Sequence, residues 1–306
     1  MTTPGVRVRA PGKLNVFFEV GPLKDDGFHD VASAYQAVSL YEDLWAEDAD
    51  EFTIAISGTV DVSTVPADDR NLAVRAARLL AKTIGHTGGV HLDIVKHVPV
   101  AGGMGGGSAD AAAALVACDA LWGSDLSHAE LQRLGARLGA DVPFALMGGT
   151  AIGTGRGDEL SPALAKGRFD WVLVTSEAGL STPEVYGKLD ELRDNGAIAF
   201  ARSQVRDVAP GVLHALRAGD PSALAEHVRN DMQAAALAIR PELRDTLELG
   251  DRAGALASVV SGSGPTTAFL AGDRESALDL QISLAAAGYH ALHVHGPVAG
   301  ARILHA

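Results

Sequence analysis

The fold of this chain is decided by Pro99-Val-Ala-Gly-Gly-Met-Gly-Gly-Gly-Ser-Ala-Asp110, in which five of twelve residues are glycine. Before it, residues 90–94 alternate between apolar and polar side chains, which is the period of a half-buried strand. After it, the alanine-rich residues 111–121 predict a helix, with Ser108 as its N-cap and Asp110 in its first turn. Glycines before a helix let backbone N–H groups approach an anion, whose charge the helix dipole favours. The stretch therefore predicts a phosphate-binding loop, although a tight turn without a ligand would need the same glycines.

Two familiar phosphate loops do not fit this stretch. A Walker loop needs a lysine after its last glycine, and here Ser108 follows Gly107. The dinucleotide fingerprint fits Gly103 and Gly105, but Ser108 stands in place of its third glycine and no acidic residue follows a second strand. An oxidoreductase that binds a dinucleotide here is therefore disfavoured.

Composition indicates two packed domains and a small-molecule ligand. At 306 residues the chain exceeds the usual size of one domain, and we place the boundary so that residues 1–162 and 163–306 form separate units. With 47% hydrophobic and 21% charged residues it has ample material for a core. Its net charge of −13 argues against a nucleic-acid partner, which would need a basic face.

No feature of the sequence indicates a membrane or an oxidising compartment. No apolar run reaches the length of a membrane span, and residues 1–12 lack the apolar segment of a signal peptide. The single cysteine, Cys118, lies in the alanine-rich helix and is interpreted as a small buried hydrophobe. We expect a cytoplasmic protein without a membrane partner, either monomeric or weakly dimeric.

Strands and helices do not alternate regularly along the chain, which favours an α+β fold over a doubly wound sheet. Residues 6–20 predict two strands joined by a turn at Pro11-Gly12. A helix is expected over residues 71–82, and a hairpin is expected over residues 144–160.

Three further motifs carry polar groups suited to catalysis. In Pro11-Gly-Lys-Leu-Asn15, Lys13 and Asn15 lie two residues apart on a strand and so point the same way. In Gly139-Ala-Asp-Val-Pro143, the carboxylate of Asp141 suits either a helix N-cap or a general base for phosphoryl transfer. Val260-Ser-Gly-Ser-Gly-Pro-Thr266 suits a plain turn or a backbone nest for an anion.

Taken in order, the Lys13 segment, the glycine loop and Ser261-Gly-Ser-Gly-Pro265 resemble the three motifs of the GHMP small-molecule kinases. Asp26-Gly-Phe-His29 and Asp69-Arg-Asn-Leu72 are similar to the branch that acts on 4-diphosphocytidyl-2-C-methyl-D-erythritol (CDP-methylerythritol). The resemblance implies ATP-dependent, magnesium-assisted phosphorylation of the 2-hydroxyl of that compound, in the non-mevalonate isoprenoid pathway. It also implies an α+β fold, with an N-terminal nucleotide-binding domain like domain 2 of ribosomal protein S5 and a ferredoxin-like C-terminal domain.

The resemblance assigns roles to individual residues. It makes Lys13 and Asp141 catalytic, with Asp141 deprotonating the 2-hydroxyl and Lys13 neutralising charge on the transferred phosphoryl group. ATP is expected on the loop formed by Pro99, Val100, Ala101, Gly102, Gly103, Met104, Gly105, Gly106, Gly107, Ser108 and Ala109. The phosphoryl acceptor is expected on Asn15, Phe28, His29, Tyr186, Gly262, Ser263 and Gly264. No protein ligand for magnesium is indicated, and phosphates and water are expected to supply most of its shell.

The sequence departs from the family pattern at two places and leaves several alternatives open. Phe28 stands where the family usually has tyrosine, and Gly106-Gly107 stand where many GHMP kinases have two serines. Tyr186 suits the opposite face of a base sandwich or core packing, and Lys96 suits a phosphate contact or a solvated strand end. Alternative functions are another GHMP kinase, of the homoserine or mevalonate type, and a non-catalytic nucleotide sensor on the same scaffold.

Overall fold

A computed structural model describes residues 5–176, 179–198 and 207–304 of the chain. The strands are β1 Val6–Leu23, β2 His29–Ala49, β3 Phe52–Gly58, β4 Gly89–Lys96, β5 Thr150–Thr154, β6 Glu159–Pro162, β7 Phe169–Val174, β8 Arg229–Asn230, β9 Ala257–Val260, β10 Thr267–Ala271, β11 Ala291–Gly296 and β12 Arg302–Ile303. The helices are α1 Leu72–Ile84, α2 Gly106–Trp122, α3 His128–Ala136, α4 Val142–Met147, α5 Thr182–Asp194, α6 Pro210–Ala218, α7 Pro221–Ala225, α8 Gln233–Ile239, α9 Leu243–Arg252 and α10 Arg274–Ala286.

Two sheets organise the molecule, as the expected α+β fold requires. The larger sheet has the order β12-β1-β2-β4-β3, with β5 also paired to β2, β6 to β5, and β8 to β1. Its β3 and β4 are parallel, whereas β1, β2 and β4 are antiparallel. The smaller sheet is antiparallel throughout, with the order β11-β7-β10-β9.

The alanine-rich α2 is the centre of the first core. Its alanines between 109 and 117 are buried among side chains of α1, β2 and β4. Cys118 is buried there too, as expected, and burial raises the pKa of its thiol. Small side chains let α1 approach α2 closely, so this helix is buried nearly all round rather than on one stripe.

The predicted turn at Pro11-Gly12 is wrong. β1 runs through it as one strand, with a shift of register against β2 between Pro11 and Gly12. Proline and glycine here mark a bulge rather than a reversal of the chain, because both positions still pair with β2. The bulge leaves Lys13 and Asn15 on the same strand as the core residues before them.

Other predicted elements differ from the structure mainly at their ends. The helix expected over 71–82 is α1, which Asn71 caps through a bond from the Ala73 N–H to its side chain and Gly85 ends in the left-handed region. The hairpin expected over 144–160 is only β5 and β6, because α4 occupies its first part. No described helix is long and apolar enough to cross a membrane.

The boundary that we predict near residue 162 does not separate the sheets. β8 and β12 come from the C-terminal half, yet both pair with β1 of the larger sheet. Residues 163–306 therefore supply both strands that pair with the edge of β1 opposite β2, while they also build the smaller sheet.

Candidate active site

A cleft with a volume of about 1230 Å³ is lined by parts of both halves of the chain. Most of the predicted site residues line it, namely Lys13, Asn15, Phe28, His29, Pro99, Val100, Ala101, Gly102, Gly103, Gly105, Gly106, Gly107, Ser108, Asp141, Tyr186, Gly262 and Ser263. Met104, Ala109 and Gly264 do not line it. Met104 and Ala109 are buried in two cores, so the glycine loop is anchored by these side chains.

Glycine is required at one position of the loop by a close contact. Gly103 has φ of 76°, and a Cβ there would lie 2.0 Å from the carbonyl oxygen of Ser261. The Ser261 hydroxyl donates a hydrogen bond of 3.2 Å to the Gly103 carbonyl. The loop therefore packs directly on the Ser261–Pro265 turn, which brings two of the three motifs together.

The glycine loop leads straight into the N-terminus of α2. Gly105, with φ of 71°, is the N-cap and Gly106 is the first helical residue, so the prediction of Ser108 as N-cap is wrong. The left-handed turn at Gly105 starts the helix earlier and places Ser108 inside its first turn. Gly105 has no side chain that could cap this end, which leaves the first N–H groups of the helix available to an anion in the cleft.

Lys13 is held by backbone and side-chain contacts next to this helix end. Its N–H donates to the Met104 carbonyl at 3.0 Å, and its Nζ donates to Asn15 Oδ1 at 2.5 Å. The Asn15 amide in turn donates to Ser33 Oγ at 2.8 Å. The expectation that Lys13 and Asn15 share one face of their strand is confirmed, and the amide orients the ammonium.

Asp141 occupies the N-cap position of α4, but its carboxylate does not cap the helix. Instead Oδ2 lies 3.9 Å from Lys13 Nζ, and the side chain remains 31% exposed to the cleft. A Cβ on Gly105 would lie 3.6 Å from the same oxygen, so the carboxylate adjoins the N-terminus of α2. Geometry thus favours the catalytic interpretation of Asp141 over the capping one.

The Ser261–Pro265 turn closes the other side of Lys13. A Cβ on Gly262 would lie 3.2 Å from Asn15 Oδ1 and 3.4 Å from Lys13 Nζ. The amide of Asn230 donates to the Gly262 carbonyl at 2.6 Å, and the hydroxyl groups of Ser263 and Thr182 are 3.0 Å apart. The turn is therefore fixed by β8 and α5, and it confines the ammonium.

Aromatic rings form the end of the cleft that lies beyond Asp141. His29 and Tyr186 are stacked, with ring centroids 4.9 Å apart, and His29 Nε2 lies 2.9 Å from Asp190 Oδ1. Phe28 is 50% exposed, and the guanidinium of Arg156 lies 3.7 Å from its ring centroid. These surfaces suit a flat ring better than a compact aliphatic ligand.

Burial and the carboxylates of Asp141 and Asp190 raise the pKa of Tyr186 to about 12. Burial likewise raises the pKa of Tyr35, whose ring centroid lies 5.6 Å from Lys13 Nζ. Both phenols therefore stay protonated near neutral pH, so neither can act as a base there.

Comparison with known proteins identifies the family. A model of the GHMP kinases N terminal domain matches residues 71–149, and one of the GHMP kinases C terminal domain matches residues 212–290. The 4-diphosphocytidyl-2-C-methyl-D-erythritol kinase of Clavibacter michiganensis subsp. michiganensis is 60% identical over 304 residues, which cover 99% of this chain and 97% of that protein. The chain belongs to the GHMP kinase family. Its relatives include the kinases of the same name from Leifsonia xyli, 61% identical over 98% of each chain, and Mycolicibacterium smegmatis, 47% identical over 99% of this chain and 94% of that one.

Solved structures agree with this membership of the GHMP kinases. A crystal structure of 4-(cytidine 5'-diphospho)-2C-methyl-D-erythritol kinase has a TM-score of 0.75 and 28% identity, covering 94% of this chain and 98% of that one. A homoserine kinase from Cytophaga hutchinsonii has the same TM-score at 18% identity, covering 98% and 97%. The similarity to the homoserine kinase supports the fold alone.

This GHMP kinase contains a buried charge cluster that the sequence reasoning missed. Lys96 Nζ donates to Glu42 Oε1 and Asp110 Oδ2, each at 2.6 Å, and Glu42 Oε2 accepts from the His97 N–H at 2.9 Å. The three charged side chains are at most 4% exposed, so Lys96 is not at a solvated strand end. Its ammonium forms ion pairs with both carboxylates. Burial and the Asp110 carboxylate raise the pKa of Glu42 to about 7.

The cluster gives a physical reason for one departure from the family pattern. A Cβ on Gly106 would lie 2.8 Å from Glu42 Oε1 and 3.3 Å from Lys96 Nζ. The first residue of α2 must therefore be glycine for the helix to lie over the cluster. Asp110, which directly precedes the alanine run of α2, is a sequence signal that could have pointed to a buried partner.

Proposed function

We propose that this GHMP kinase transfers the γ-phosphoryl group of ATP to the 2-hydroxyl of CDP-methylerythritol. The observation that carries the proposal is identity of up to 61% over nearly the whole length with 4-diphosphocytidyl-2-C-methyl-D-erythritol kinases. The pair formed by Lys13 and Asp141 supports it, because it adjoins the N-terminus of α2 in a cleft that His29 and Tyr186 also line.

Asp141 is assigned the role of general base. Its carboxylate accepts the proton of the 2-hydroxyl while that oxygen forms a bond to the γ-phosphorus and the bond from that phosphorus to the ADP oxygen breaks. The 31% exposure of its side chain leaves an oxygen accessible to a ligand. The carboxylate accepts no capping hydrogen bond from a described backbone N–H of α4, so its lone pairs remain available to a ligand.

Lys13 is assigned electrostatic stabilisation. Asn15 and the Ser261–Pro265 turn fix its ammonium beside the N-terminus of α2. Positive charge preorganised there stabilises the negative charge on the transferred group without reorientation during the reaction. Positioning and electrostatics are the main contributions that phosphoryl transfer needs from a protein.

The N-terminus of α2 and the loop before it are assigned to the phosphates of ATP. The N–H groups of Gly106, Gly107 and Ser108 belong to its first turn and have no side-chain cap. Among the described residues, no group of three or more His, Cys, Asp or Glu side chains could hold a metal ion. Magnesium needs no such group, because it usually keeps several waters beside substrate phosphates and one or two carboxylates, and we expect phosphates and water to supply most of its shell here.

The aromatic end of the cleft is assigned to the cytosine of the acceptor. Phe28 and Tyr186 provide ring faces for stacking, and stacking does not depend on the hydroxyl that the family usually has at position 28. His29 lines the same end and provides a polar group that can meet the base edge. The diphosphate and the polyol would then extend towards Asp141.

The proposal is tested by ADP release from ATP and magnesium with CDP-methylerythritol, homoserine and mevalonate supplied separately. We expect turnover with the cytidyl compound alone. Turnover with homoserine or mevalonate would assign a different GHMP activity. ATP binding without any turnover would indicate a nucleotide sensor. The presence of both Lys13 and Asp141 argues against that alternative.

A further inference from the structure

Asp190 contacts a side chain of the cleft but has no role in the reaction as described so far. It lies in the last part of α5 and accepts a hydrogen bond from His29 Nε2 at 2.9 Å. The two residues are far apart in the sequence, and His29 is the first residue of β2. The side chain of Asp190 is 24% exposed and that of His29 is 6% exposed, so the hydrogen bond between them is largely shielded from water.

This contact fixes the position of the proton on the imidazole ring. An ionised carboxylate has no proton to give, so it can only accept from Nε2. In the neutral ring the single N–H is therefore at Nε2, and Nδ1 carries a lone pair. Stacking of Tyr186 on the ring keeps it from turning to exchange the two nitrogens.

Nδ1 is the ring atom left for a ligand. Within residues 5–176, 179–198 and 207–304, the hydrogen bond to Asp190 is the one that the imidazole makes to a protein group. His29 lines the cleft, where a ligand can approach this ring atom. The site therefore presents a hydrogen-bond acceptor beside the aromatic surfaces.

An acceptor at this place distinguishes the two common pyrimidines. Cytosine carries an amino group at C4, which donates, whereas uracil carries a carbonyl oxygen there, which only accepts. A lone pair on Nδ1 matches the amino group and opposes the carbonyl oxygen. With the other tautomer of histidine the preference would reverse.

We propose that Asp190 is a positioning residue that makes this kinase selective for cytidine over uridine compounds, by holding His29 in the tautomer protonated at Nε2. The inference rests on the proposed function, because it takes the aromatic end of the cleft as the site of the base. Asp190 itself does not touch the substrate.

The direct test measures the tautomer and the base preference separately. Nitrogen-15 NMR of the full-length protein without ligand, with the His29 signals assigned through His29→Gln, reports which ring nitrogen carries the proton. Calorimetry with CDP and with UDP, each with magnesium, reports the base preference without requiring turnover. Both are applied to the wild type, to Asp190→Leu and to Asp194→Leu, which removes an exposed carboxylate from the same helix.

We expect the wild type and Asp194→Leu to carry the proton on Nε2 and to bind CDP about tenfold more tightly than UDP, as one unmatched polar group would cause. Asp190→Leu should show a mixture of tautomers and lose most of that preference. A proton on Nδ1 in the wild type, or equal weakening of CDP and UDP in Asp190→Leu, would overturn the inference. A protein that prefers CDP but does not phosphorylate CDP-methylerythritol would contradict the proposed function alone.

Discussion

Asp141 Oδ2 lies 3.9 Å from Lys13 Nζ, although Lys13 belongs to β1 and Asp141 directly precedes α4. Among the described residues, no helix cap or close ion pair accounts for the approach of these two side chains. Asp141 does not cap α4, and the ammonium of Lys13 has no carboxylate within hydrogen-bond distance among the described residues. A separation of 3.9 Å leaves room for the pair to act on a reacting group together.

Replacing Asp141 by asparagine removes the base with almost no change in shape. We expect kcat of Asp141→Asn to fall by about 100-fold or more, because an amide does not accept the hydroxyl proton. Circular dichroism and the melting temperature should stay as in the wild type. Asp125→Asn, an exposed change outside the cleft, serves as the control and should retain full activity. Near-normal turnover of Asp141→Asn would assign this carboxylate no part in the chemistry.

Replacing Lys13 by methionine removes the positive charge and keeps most of the chain length. We expect kcat to fall by about 100- to 1000-fold, since a preorganised charge stabilises the transition state. The affinity for ATP, measured by calorimetry, should change much less than kcat. Lys82→Met, an exposed change in the last turn of α1, is the matched control. A loss confined to ATP affinity would mean that Lys13 binds the nucleotide in the ground state only.

Two glycines of the loop should respond in opposite ways to the same substitution. In Gly103→Ala the backbone keeps a positive φ, and the new Cβ would lie 2.0 Å from the carbonyl oxygen of Ser261. This substitution should lower the free energy of unfolding by about 1–3 kcal/mol. Gly107→Ala lies inside α2 with open space around the new methyl group, and should be neutral or slightly stabilising. Urea unfolding of both variants measures the difference. Equal stability of the two would show that the loop does not depend on its packing against the turn.

The buried cluster should make stability depend on pH in a defined direction. The pKa of Glu42 is raised from its usual value of 4.5 to about 7, so the folded protein holds a proton that the unfolded chain releases between these values. The contribution of Glu42 to the free energy of unfolding therefore falls as the pH rises from about 4.5 to about 7. Other carboxylates contribute their own slopes, so the quantity to compare is the difference between the wild type and Glu42→Gln.

Urea unfolding at several pH values measures that difference. We expect the stability of the wild type relative to Glu42→Gln to decrease across this window and to level off above it. A constant difference would mean that Glu42 is ionised throughout and that Lys96 fully compensates its charge.

Local sequence patterns were sufficient to predict the strand and helix around the glycine loop, and the shared face of Lys13 and Asn15. These features depend on periodicity and on neighbours in the chain, which the sequence displays directly. Family resemblance, rather than local pattern, connected Lys13 with Asp141. Proline and glycine at positions 11 and 12 suit both a turn and a bulge, and pairing with β2 decides for the bulge.

Contacts between distant segments could not be predicted in this way. Asp190 reaches His29, and Glu42 reaches Lys96, only through the tertiary arrangement of the strands and helices that carry them. The assignment of Ser108 as N-cap failed for a related reason. A glycine in the left-handed backbone conformation can start a helix when tertiary packing holds it there. Gly105 is held in this way, because it packs against Lys13 and Asp141.

The pairing of β1 with β12 has a consequence for the order of events during synthesis. Val8 emerges from the ribosome early, yet its partner Ile303 is made almost at the end of the described chain. The edge of β1 at Val8 and Arg9 therefore stays unpaired until residues 302–303 have been translated, although β8 pairs with the same edge at Phe17 and Phe18 earlier. An early arrest of translation would leave this part of the edge open to pairing with other chains.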